Sequence, residues 1–170
     1  MRYRTQVALL LLFLLATAVA LPTIPTASAE SAATDWAAQL RAMDEALAQG
    51  DARAAQAAWR EAYVAAHVGH GWPGMLAVGD AALRLGRHMG TAGLHEGRAR
   101  RVYLTALLRA RRQASLDGVL AAGEAFGRLG DRDVVRQALA VATDLAARSG
   151  DDLARRRVQV FRSQWVPPLT

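Results

Sequence analysis

The sequence predicts an all-α protein built as an array of antiparallel helix pairs, and three observations carry that prediction. Two stretches 44 residues apart nearly coincide: Leu76-Ala-Val-Gly-Asp-Ala-Ala-Leu-Arg-Leu-Gly86 and Leu120-Ala-Ala-Gly-Glu-Ala-Phe-Gly-Arg-Leu-Gly130 share seven of eleven positions. Repetition at such a spacing implies stacked, similar units. Good helix formers (Ala, Leu, Arg, Gln and Glu) dominate the chain, and no stretch alternates as a half-buried strand would. Capping residues and glycines then punctuate the chain at regular intervals.

The punctuation predicts seven helices, at about 35–48, 52–67, 73–87, 96–113, 115–129, 131–148 and 151–164. Asp35, Asp51, Ser115, Asp131 and Asp151 stand where a side-chain oxygen would cap a first turn, and Pro73 suits a first helical position. Gly50, Gly69, Gly86, Gly130 and Gly150 stand where helices should stop. Short loops make consecutive helices antiparallel neighbours. The stretch Arg87–Glu96 reads as a longer loop.

Three units align when Leu40, Leu76 and Leu120 are given the same place in the first helix of each pair. Asp44, Asp80 and Glu124 then coincide, as do Gly50, Gly86 and Gly130. The second helices share a small–large–small face: Ala55, Trp59, Ala62; Ala99, Tyr103, Ala106; and Val135, Leu139, Ala142. Residues at i, i+4 and i+7 share one helix face, so small positions let two helices approach while the large one fills the gap. On these residues the chain resembles the tetratricopeptide repeat (TPR) family. Gly79 and Gly123 match its first-helix glycine, Phe126 its first-helix aromatic, and Trp59 and Tyr103 its second-helix aromatic. Met43, Ala46 and Ala82 depart from the pattern, Leu139 matches less well, and the unit-end proline is missing. The resemblance implies a right-handed superhelical array, a TPR-like α-solenoid with a C-terminal capping helix. That helix would carry Arg155, Arg156, Arg157 and Arg162 outward, with Val158 and Phe161 inward.

The start of the chain reads as an export signal. Met-Arg-Tyr-Arg precedes an apolar run from Val7 to Leu21, Pro22 and Pro25 follow, and Ala27-Ser-Ala29 offers a small-x-small cleavage site. The expected organisation is a signal peptide at 1–29, a short tail at 30–34, a repeat domain at 35–165 and a C-terminal tail at 166–170. The expected location is secreted or periplasmic in a bacterium; the other reading is an uncleaved membrane anchor. With 21 basic and 15 acidic residues the chain carries +6, and loss of Arg2 and Arg4 would leave +4.

Composition excludes several chemistries. There is no Cys, hence no disulfide, thiolate metal site or cysteine nucleophile. There is no Lys, hence no Schiff base or phosphate-loop lysine. Past the N-terminal tail the only serines are Ser115, Ser149 and Ser163, each near a helix end and none in a Gly-x-Ser-x-Gly elbow. A non-enzymatic protein without a cofactor is expected. His67, His70, His88 and His95, with Met75 and Met89, carry soft-metal chemistry, but the helix between the two histidine pairs would hold them ~22 Å apart. No metal is expected.

The TPR resemblance implies a partner groove along the first helices, with Leu40, Leu76 and Leu120 as apolar anchors and Asp44, Asp80 and Glu124 as a row of acids. Such a groove suits a peptide carrying basic residues. The competing reading is that Asp80 pairs with Arg84, and Glu124 with Arg128, four residues on within their own helices. The family's peptide-carboxylate grip needs Lys and Asn, and this chain has neither. A second surface is basic: Arg98, Arg101, Arg109 and Arg112 form a stripe with Thr105, and no acid occurs from Gly97 to Ser115. A one-sign stripe attracts anionic lipid or polymer, so peripheral membrane contact is the alternative to a protein partner. Nucleic acid is not expected, because no base-stacking aromatics interleave these arginines. Three units make a short array, so a homo-oligomer or docking into a larger complex is a further expectation.

Overall fold

The computed structural model describes residues 27–166. The expected signal segment before Ala27, with Pro22 and Pro25, lies outside the described residues, as does the tail after Val166. Seven α-helices and no strand are present among the described residues: α1 Ala27–Ala48, α2 Ala52–Val68, α3 Trp72–His88, α4 Ala92–Arg112, α5 Leu116–Arg128, α6 Arg132–Ser149 and α7 Asp152–Trp165. Among the described residues the first helix is already formed at Ala27 and includes residues 30–34.

Several helix ends have local causes, although Thr91 and Asp131, before α4 and α6, make no side-chain cap bond. The Asp51, Ser115 and Asp151 side chains accept hydrogen bonds from Ala54, Gly118 and Leu153 amides, capping α2, α5 and α7. Pro73 lies in the first turn of α3, where its missing N–H costs nothing. Gly50, Gly90, Gly130 and Gly150 close α1, α3, α5 and α6 with φ between +65° and +77°, a backbone that suits glycine. The expected stop at Gly86 does not occur: α3 runs on to His88 and Gly90 makes the turn. The reason is packing. A Cβ at Gly86 would sit 2.5 Å from the Cβ of His95, so the glycine permits close approach of α4.

The stretch read as a long loop is therefore the last turn of α3, a three-residue connection and the first turn of α4. With 17 and 21 residues, α3 and α4 are each about one turn longer than α5 and α6, with 13 and 18. The insertion lengthens one hairpin rather than bulging from it. Direction within that hairpin follows from its contacts. Gly86 meets His95 near the turn, and Gly79 meets Tyr103 two turns further back on both helices, as antiparallel helices require.

Successive helices pack on one another, and α1 also touches α3, α3 touches α5, and α5 touches α7. One continuous core runs through these contacts. Ala55, Ala62, Ala99, Tyr103, Ala106 and Ala142 have no exposure, as the small–large–small face predicts. In α6 the fit shifts: Leu139 is only partly buried, and Ala138 takes the close contact with α5 at Gly123. On α7, Val158 and Phe161 face the core and Arg155, Arg156, Arg157 and Arg162 are exposed.

Candidate functional site

The residues expected to line a groove are brought together, but in different roles. Leu40 and Leu120 are 8% and 6% exposed and Leu76 is partly buried, so all three belong to the core. Leu76 and Leu120 each stand five residues into their helix, corresponding places in neighbouring units. The carboxylates do not pair within their own helices. Arg84 of α3 reaches across to Asp44 of α1, with Nε–Oδ1 and Nη2–Oδ2 both 3.1 Å. Arg128 of α5 reaches across to Asp80 of α3 at 3.6 Å. Each arginine therefore ties one first helix to the one before it. Both pairs are half exposed, so each contributes about 0.2–1 kcal/mol.

Asp80 has a second partner: the Tyr103 hydroxyl donates to its Oδ1 at 2.6 Å. Burial, then the Asp80 carboxylate, pushes the Tyr103 phenol well above its ordinary value, so it acts as a fixed donor. The Tyr103 ring meets Phe126 edge-on at 5.9 Å, joining the second helix of one unit to the first of the next.

The third acid of the row differs. Glu124 has no ion pair among the described residues: of the two α7 arginines that line the same cavity, Arg157 pairs with Asp117 at 2.5 Å and Arg156 is exposed. Glu124 lines a cavity of about 610 Å³ between α5 and α7, with Trp72, Leu120, Leu153 and Val160. Leu153 and Val160 are 57% and 64% exposed, one above the other on α7 at i and i+7. The open surface beside this row of acids is thus at its C-terminal end. The sequence reading missed Leu153 and Val160; their seven-residue spacing beside Arg156 and Arg157 was the available signal.

The basic stripe on α4 is also redistributed. Arg109 is buried at 5% exposure. Its guanidinium donates to the carbonyls of Ala66 (2.9 Å), His67 (2.9 Å) and Gly71 (3.1 Å), satisfying the end of α2. Arg100 is held by Asp131 at 2.8 Å and by the Leu129 carbonyl at 3.2 Å. Arg98 lies over the Trp59 ring, 5.7 Å from its centroid. Arg101 and Arg112 remain exposed and make no ion pair among the described residues.

The four histidines scatter. His67 stacks on Tyr63 at 5.9 Å, and His70 occupies a turn with φ +53°. His88 ends α3, exposed, while His95 is buried against Gly86. Among the described residues no three metal-capable side chains cluster, and no helix is long and apolar enough to cross a membrane. Compared with known proteins, the chain matches no family model, no curated protein and no solved structure.

Proposed function

We propose that this chain is an exported, non-enzymatic adaptor of the cell envelope: a TPR-like α-solenoid that holds a protein or peptide partner against its first helices. The observation that carries this reading is Glu124, an acid that makes no ion pair among the described residues, set in an open cavity that Arg156 and Arg157 also line, beside exposed Leu153 and Val160. The two preceding acids of the same row are each neutralised by an arginine from the next first helix. A partner placing one basic residue at Glu124 and apolar residues on Leu153 and Val160 would continue that pattern by supplying what the next unit does not. The right-handed superhelical course belongs to the same proposal. It is supported by the chain of contacts from α1 to α3, α5 and α7 and by the corresponding places of Leu76 and Leu120.

The test is crosslinking in the native cell with a photo-reactive residue at Ala121, beside Glu124 in the cavity. A discrete partner band, lost in Glu124→Arg and in Leu153→Ser/Val160→Ser with helicity unchanged, is the expected result. A band that persists in both variants would overturn the groove assignment. Substituting Leu120 is unsuitable, because its burial makes loss of folding inseparable from loss of binding.

A further inference from the structure

The outward face of α4 combines two features that water alone does not favour. Leu94, Leu104 and Leu108 are 62%, 46% and 45% exposed, three of the seven large apolar side chains turned to solvent among the described residues. At 100° per residue they fall on one face with Arg101, Arg111 and Arg112, all exposed. From Leu94 to Arg112 this stripe runs ~27 Å at 1.5 Å per residue. No carboxylate lies on it. Glu96, the only acid of α4, faces the Arg100 side, within 3.6 Å of that guanidinium. The flanking acids of the α5–α6 connection and α6, Asp131 and Asp133, are held by Arg100 and Arg136.

Leucines spaced between uncompensated arginines along a helix face match a bilayer surface. The apolar side chains enter the boundary of the acyl region while the long arginine stems carry their guanidinium groups to lipid phosphates. Guanidinium also pairs with phosphate oxygens two at a time, which an ammonium does not. Two open cavities border the stripe, one of about 250 Å³ between Trp59, Tyr63, Arg98 and Arg101, and one of about 550 Å³ where Arg101 and Leu104 meet Phe126 and Val134.

We infer that α4 docks peripherally on an anionic lipid bilayer through Leu94, Leu104 and Leu108 with Arg101, Arg111 and Arg112. This goes beyond the adaptor reading and does not depend on it. The groove end at Glu124 is built on α5 and α7, so the two surfaces can be occupied together and tested apart.

The chain has no cysteine, so one introduced thiol gives one label. Full-length protein carrying Leu104→Cys with an environment-sensitive fluorophore is titrated with vesicles of phosphatidylcholine containing phosphatidylglycerol. A second protein is labelled at Ala140→Cys, an exposed position on α6. The expected result is a blue shift of the Leu104 label alone, absent with pure phosphatidylcholine and weakened by salt. Arg101→Gln/Arg112→Gln should weaken vesicle affinity roughly thirtyfold with unchanged helicity. Three results would overturn the inference: equal response with neutral vesicles, equal response of the Ala140 label (contact through the N-terminal apolar run), or the same shift with soluble polyglutamate. An unchanged affinity in the double arginine variant would overturn it too.

Discussion

At the scale of single residues, the connections between helices follow one rule. Each of the six has one left-handed residue: Gly50, His70, Gly90, Ala114, Gly130 and Gly150, with φ from +50° to +77°. Four are glycine, and the sequence showed three of those stops directly. The other two were illegible because His and Ala give no sign of a positive φ. A Cβ in that region costs about 1–2 kcal/mol, partly offset by glycine's greater freedom when unfolded. Ala114 is exposed at its turn, so Ala114→Gly should stabilise the protein by about 0.5–1 kcal/mol in denaturant unfolding. A loss of stability would mean the Ala114 turn is not left-handed in solution. His95 poses the opposite problem, a polar ring buried with its Nδ1 unpartnered. Burial first, then the Arg98 charge, lowers its proton affinity below the ordinary 6.5, while the Ala82 carbonyl raises it in part. The unfolded chain therefore takes up a proton at His95 as pH falls through about 6.5, and the folded chain does so only at lower pH. Native stability from this site is complete above that value and lost below it. The stability difference between wild type and His95→Ala should shrink between about pH 7.5 and about pH 5; a constant difference would show that His95 keeps its ordinary affinity.

At the scale of elements, the repeat was legible as far as its small residues mark helix faces. It misled where one motif serves two ends. Arg-Leu-Gly closes α5 at Gly130, yet the same three residues at 84–86 lie inside α3. A glycine in a sequence says that no Cβ is present; whether the reason is a turn or a neighbour depends on the helix across from it. The arginines show the same limit. Arg109 belongs to the stripe by spacing, but the last part of α4 passes the end of α2, where open carbonyls take its guanidinium. Three charge-assisted hydrogen bonds then make it an internal cap. Arg109→Met should cost about 2–4 kcal/mol, whereas Arg112→Gln, three residues on and exposed, should change stability by less than about 0.5 kcal/mol. Equal costs in thermal unfolding would mean that Arg109 does not hold α2 in place.

At the scale of the whole molecule, the all-helical fold of packed neighbouring helices could be read from the sequence, but which surface stays open could not. Leu40, Leu76 and Leu120 mark the repeat because they fill the core, and the same burial withholds them from a partner. What remains open is decided by where the stacking ends. The last helix, α7, lies on α5 as a next first helix would, but no second helix follows it within the described residues. Its seat consists of Phe161 against Gly123 and Trp165 against Gly127, where added Cβ atoms would approach the rings to 2.7 and 2.3 Å. Because α7 packs on α5 and α6, loss of this seat should be felt locally. Phe161→Ala removes a side chain that is 3% exposed, and should cost about 3–5 kcal/mol at the C-terminal interface. Amide exchange should then accelerate in α7, α5 and α6 while α1 and α2 keep their protection. Loss of protection spread evenly from α1 to α7 would mean the helices unfold as one unit. In that case the cavity at Glu124 could not be treated as a local, separately adjustable surface.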